Sequence, residues 1–114
     1  MATFKVITDF SRTPGPRRKV AGKYSGEELR GLLFDRISGL SDGEVLTVDL
    51  DGTYGYAASF LEEVFGGLIR ECGCTYEMLQ KSMKLVSAEN PEYLREIDGF
   101  LRDAEERERS LYGR

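Results

Sequence analysis

Apolar and polar positions alternate over residues 3–8 (TFKVIT), the period of a half-buried strand, and Ser11, Pro14, Gly15 and Pro16 then punctuate a loop. After Ser25 the period changes. Ser25 and Glu28 have capping-box spacing, and Leu29, Leu32, Leu33, Ile37 and Leu40 recur at helical intervals, which predicts a helix running to about Gly39. Ser41, Asp42 and Gly43 turn the chain into residues 45–50 (VLTVDL), a β-branched run expected near the middle of a sheet. A second capping-box spacing, Ser59 with Glu62, predicts a helix carrying Phe60, Leu61, Val64, Phe65, Leu68 and Ile69 and ended by Gly73. Residues 75–80 predict a short helical turn, and residues 83–87 (MKLVS) a third strand. Asn90 and Pro91 open a last helix, with Leu94, Ile97, Leu101 and Ala104 along one side.

Strands alternating with helices at these spacings predict an α/β fold, a small mixed or mostly parallel sheet with helices packed on it, in a single domain over residues 1–114. Its charged end at about 102–114 (RDAEERERSLYGR) is expected to be a solvated helix terminus. The alternative, a protruding helix that docks a second subunit, leaves a homodimer open.

Composition narrows the function classes. At 114 residues a chain buries roughly two thirds of its unfolded surface, enough for one modest core. No apolar run reaches the ~18 residues of a membrane span, and the N-terminus lacks a basic segment followed by an apolar one, so a cytoplasmic protein without membrane contact is expected. Histidine is absent, which excludes imidazole general bases, Ser/His and Cys/His nucleophile pairs and His-containing zinc sites. Cys72 and Cys74, one residue apart, make no disulfide framework and are a weak metal signal; no cofactor or metal is expected. A net charge of -4 argues against nonspecific nucleic-acid binding.

Three stretches carry candidate chemistry. DLDGT, residues 49–53, resembles the first motif of haloacid-dehalogenase-like phosphotransferases, which implies Asp49 as nucleophile, Asp51 as acid/base and magnesium between them. Lys81 or Lys84 could serve as that family's lysine, but no late acidic pair follows a strand, and the alternative is that Asp51 and Gly52 simply turn the chain while Asp49 faces a loop or polar edge. The helix after it puts Glu62, Glu63, Gly66, Gly67 and Arg70 opposite its apolar stripe. Two glycines inside a helix cost roughly 1 kcal/mol each, so something should approach that side closely: a partner protein, or another element of the same domain. With Tyr54, Tyr56 and Ser59 these residues form the expected protein-binding surface. Arg17 and Arg18, ahead of the capped helix, are candidates for holding an anion or nucleotide between their guanidinium groups and the helix N-terminus.

TPGPRR, GKYSGEELR (residues 22–30) and VDLDGTYGYAASFLEEVFGG (residues 48–67) together resemble a bacterial STAS-like domain of unknown function, related in fold to the anti-sigma factor antagonists. The resemblance implies a sheet with helices on it and a non-enzymatic regulatory module in signal transduction. It also implies a regulatory serine at the start of the helix after a central strand, to which Ser59 corresponds by position. In the antagonists a GHKL-type ATPase kinase phosphorylates that serine, so the resemblance points to such an ATPase as partner. The sequence departs from the pattern just before the serine, where Ala57 and Ala58 stand.

Overall fold

The computed structural model describes residues 2–113. Three strands, β1 (Ala2–Lys5), β2 (Leu46–Asp49) and β3 (Met83–Val86), form a parallel sheet in the order β1-β2-β3, with β2 central as its β-branched pattern predicts. Between β1 and β2 lie a one-turn helix, α1 (Val6–Asp9), a 3₁₀ turn (Lys19–Ala21) and α2 (Gly26–Ser38). Between β2 and β3 the chain runs through α3 (Ala58–Leu61), a π-helical turn (Glu62–Gly66), α4 (Gly67–Arg70) and α5 (Tyr76–Ser82), and α6 (Glu92–Tyr112) follows β3. α3, the π turn and α4 are one continuous helix, 58–70.

Cross-strand register sorts the sheet's side chains onto two faces. Ala2, Phe4, Leu46, Val48, Met83 and Leu85 point one way, into a core shared with Leu29, Leu33 and Ile37 of α2, Phe60, Leu61, Val64, Phe65, Leu68 and Ile69 of helix 58–70, and Ile97 and Leu101 of α6. Thr3, Lys5, Thr47, Asp49, Lys84 and Val86 share the opposite face, where Thr3, Lys5 and Lys84 are exposed. Helix 58–70 packs against α2 on one side and α6 on the other, and residues 63–69 are buried throughout.

Local signals explain most of these boundaries. Ser25 and Glu28 form the expected capping box, each side chain bonded to the other's backbone N–H. Thr75 caps α5 by accepting from the Met78 N–H. β1 is shorter than its alternation predicts, because the chain winds into α1 at Val6, where the Phe10 and Ser11 N–H groups both close onto the Val6 carbonyl. Among the described residues no helix is long and apolar enough to cross a membrane.

Candidate functional site

The face of helix 58–70 that its spacing leaves polar is not open. Glu63 is 3 % exposed, and Gly66 and Gly67 are buried. Arg30, from α2, lies across Gly67, and the Glu62 and Arg70 side chains close over Gly66. The close approach that two glycines require is therefore made by the domain itself.

Charge explains the arrangement. Arg17 Nη1 lies 2.6 Å from Glu62 Oε1 and 3.0 Å from Glu63 Oε1, Arg70 Nη1 lies 2.8 Å from Glu62 Oε2, and Arg30 Nη1 pairs with Glu63 Oε2. Successive helical residues normally diverge by about 100°, and the π turn beginning at Glu62 helps to bring both carboxylates into one network. Burial alone would raise the Glu62 carboxyl pKa, but hydrogen bonds from Arg70 and Arg17 outweigh it and hold the carboxyl below its ordinary value. Arg30, the guanidinium that reaches the more deeply buried glutamate, was not singled out by spacing. The one available signal was that two adjacent helical glutamates needed cations from elsewhere.

The expected anion site has other occupants. Arg17 is committed to Glu62 and Glu63, and the N-terminal donors of α2 are filled: Gly26 N–H bonds to the Pro16 carbonyl, Glu27 N–H to that of Arg17, and Glu28 N–H to Ser25 Oγ. Arg18 faces a cleft of about 450 Å³ with Arg17, Arg70 and Arg107, but Glu62, Asp103 and Glu108 line the same cleft. Four guanidinium groups against three carboxylates leave little net attraction for an anion.

The two aspartates of DLDGT act within the loops. Asp51 accepts the Ala88 and Glu89 N–H groups, each at 3.0 Å, and Asp49 Oδ1 accepts the Asp51 N–H. Gly52, at φ +93°, makes a turn that other residues resist, and its N–H reaches Glu89 Oε1 at 2.7 Å. The stretch thus ties the loop after β2 to the loop after β3. Among the described residues no three His, Cys, Asp or Glu side chains gather to hold a metal. Both cysteines are free, and burial pushes the Cys74 thiol up to about 11 and raises that of Cys72, so neither is an activated nucleophile.

What remains open lies at the start of helix 58–70. Ser59 does not cap the helix: Ala57 holds the N-cap position with extended backbone angles, and Ser59 is already inside the first turn with its side chain exposed. The capping-box reading fails because the helix starts from an N-cap two residues before Ser59, and Glu62 pairs with Arg17 and Arg70 instead. Tyr54 is 79 % exposed, beside a stretch of small exposed residues, Ala57, Ala58 and Ser59. The loop that carries it is firmly held. Tyr54 N–H bonds to the Arg12 carbonyl at 2.9 Å, and Tyr56 donates its hydroxyl to the Leu50 carbonyl at 2.7 Å. The Tyr56 ring stacks edge-on against Tyr93 at 5.2 Å, and its N–H bonds to the Tyr93 hydroxyl. Tyr56 is therefore a support beneath the surface, anchoring the loop that also carries Tyr54.

A parallel sheet with helices on one face and a held loop ahead of a buried central helix defines a small α/β domain of the STAS-like class. The model of one family, the STAS-like domain of unknown function (DUF4325), matches residues 26–93, and the chain belongs to that family. No curated protein and no solved structure matches it.

Proposed function

We propose that the domain is a regulatory protein-binding module whose contact surface is Tyr54 together with the first turn of helix 58–70 at Ala57, Ala58 and Ser59. The observation that carries this reading is a large aromatic left outside the core on a loop the domain spends several hydrogen bonds to hold. An exposed tyrosine on a held backbone, beside small residues, suits an interface anchor, since the loop's backbone is already ordered before binding. Family membership supports a regulatory role in coarse terms, and the likeness to anti-sigma factor antagonists points to a GHKL-type ATPase as the first partner to test.

Ser59 lies where modification would act on that surface. A phosphate there adds about two negative charges near the positive end of the helix dipole, while Glu62 is turned toward Arg17 and Arg70. The charge would be tolerated by the fold and felt by the partner.

The test is co-purification from the protein's native cells, comparing wild type with Tyr54→Ala and Ser59→Asp. Loss of the same partner from both variants, with unchanged melting, supports the reading. Equal recovery from all three removes this surface from the account.

A further inference from the structure

The two edges of the sheet are treated differently. On β1 the outward main-chain groups are covered by the chain's own side chains: Arg36 Nη2 donates to the Thr3 carbonyl at 3.0 Å, and Asp9 Oδ2 accepts the Lys5 N–H at 2.8 Å. That edge is closed to a further strand. On β3, Leu50 N–H bonds to the Val86 carbonyl, which sets the parallel alternation: Lys84 and Val86 turn their main-chain groups to β2, and Leu85 turns its N–H and carbonyl outward. Among the described residues no side chain covers the Leu85 groups.

Beside them lies a groove of about 230 Å³, walled by Leu79 and Gln80 of α5, Met83 and Leu85 of β3, and Leu94, Asp98 and Leu101 of α6, the Asp98 carboxylate being held by the Tyr76 hydroxyl and Arg102. Element widths account for it. Three helices side by side, spaced at roughly 8–10 Å, span about twice the width of three strands spaced at about 4.8 Å. Since helix 58–70 lies between α2 and α6, α6 extends beyond β3 and has no strand beneath its outer side. On the opposite face of β3, Lys84 is exposed and has no acidic partner among the described residues.

We infer that β3 is a docking edge for one extended segment of another polypeptide, added as a fourth strand beneath α6, with an apolar side chain in the groove and an acidic residue facing Lys84. Alternation along the guest strand supplies both requirements, since its successive side chains point to the groove and to the open face. A second copy of β3 is the poorer occupant, because its own α6 would have to share the same space. This surface is separate from the one built on Tyr54.

The probe is a displayed library of nine-residue peptides alternating Asp or Glu with varied apolar residues, panned against the whole chain. In the free protein the Leu85 amide should exchange with solvent at least about tenfold faster than those of Lys84 and Val86. Selected peptides should slow it to their rate. Binding should fall at least about tenfold when alternate peptide amides are N-methylated, and about fivefold for Lys84→Glu. Leu85→Pro, a substitution an edge strand accepts, should abolish it, and Leu94→Asp provides a second variant should the proline disturb folding. The inference is overturned if no peptide depends on Leu85 and Leu94, or if the Leu85 amide of the free monomer is already protected. It is equally overturned if a concentration-dependent dimer protects that amide, which would make a second copy the occupant.

Discussion

Arg30 lies so close over Gly67 that a Cβ on the glycine would come within 2.7 Å of Arg30 Cδ and 3.1 Å of its Nη1. The arginine cannot simply swing away, because its guanidinium is bound to Glu63 beneath it. Gly67→Ala therefore sets a gain in helix propensity of about 1 kcal/mol against displacement of a buried ion pair. The clash should win, with a net loss of about 1–3 kcal/mol in urea unfolding. In an Arg30→Ala background the same substitution should cost much less or stabilise. An equal cost in both backgrounds would show that Arg30 is not what the glycine accommodates.

Glu63 supplies the second prediction. Its carboxylate is buried and shared between Arg17 and Arg30, so Glu63→Ala leaves the partly buried Arg30 guanidinium without its counter-charge and Arg17 with Glu62 alone. A loss of about 3 kcal/mol is expected by chemical denaturation, against less than about 1 kcal/mol for Glu77→Ala, whose pair with Lys81 is fully exposed. Similar costs for the two would mean that the buried network contributes no more than a surface pair.

These two residues also mark where sequence and structure part. The strand and helix pattern was legible because each element carries its own signal: the Ser25 and Glu28 box, the β-branched run of β2, the stripe of α6. The glycines announced a close approach, but not what approaches. Sequence spacing assigns α6's stripe to a core without saying which surface forms it. The deciding fact is geometric: a sheet of three short strands cannot seat three helices, so helix 58–70 is packed between α2 and α6, and Arg30 of α2 closes over the side expected to be open. Ser59 was misread for a different reason. A serine three residues before a glutamate reads as a capping box only if the helix begins at the serine, and here the chain turns helical two residues earlier, from an N-cap at Ala57.

Asp51 joins the loops after β2 and β3 through two backbone N–H groups. Asp51→Ala should cost about 1–3 kcal/mol, since hydrogen bonds to a charged acceptor are lost, and should raise amide exchange at Ala88 and Glu89 in particular. Unchanged exchange at these two amides would remove its role as a tie.

Acid should act on the arginine network through Glu62. Its carboxyl, held below the ordinary 4.5 by Arg70 and Arg17 despite burial, binds a proton more readily in the unfolded chain than in the folded one. Its contribution is thus complete above about pH 4.5 and is lost as pH falls through the lower folded value. Glu62→Gln should be less stable than wild type at pH 7, and the gap should narrow below pH 4.5 in thermal melts. A gap that stays constant to pH 3 would mean that the ionised carboxylate is not what the two arginines hold.

At alkaline pH the sensitive group is Tyr56. Burial, only partly offset by a hydrogen bond to Thr53, pushes its hydroxyl up to about 12 from an ordinary 10.0. The folded protein therefore keeps this proton in a range where the unfolded chain gives it up. The contribution is complete below pH 10 and is lost as pH rises through about 12. Tyr56→Phe removes the bond to the Leu50 carbonyl and should cost about 1 kcal/mol at pH 7. Between pH 10 and 12 the wild type should lose stability faster than the variant, so that their denaturation midpoints converge. Parallel curves across that range would place the Tyr56 hydroxyl in contact with solvent and remove it as an anchor of the loop that carries the exposed Tyr54.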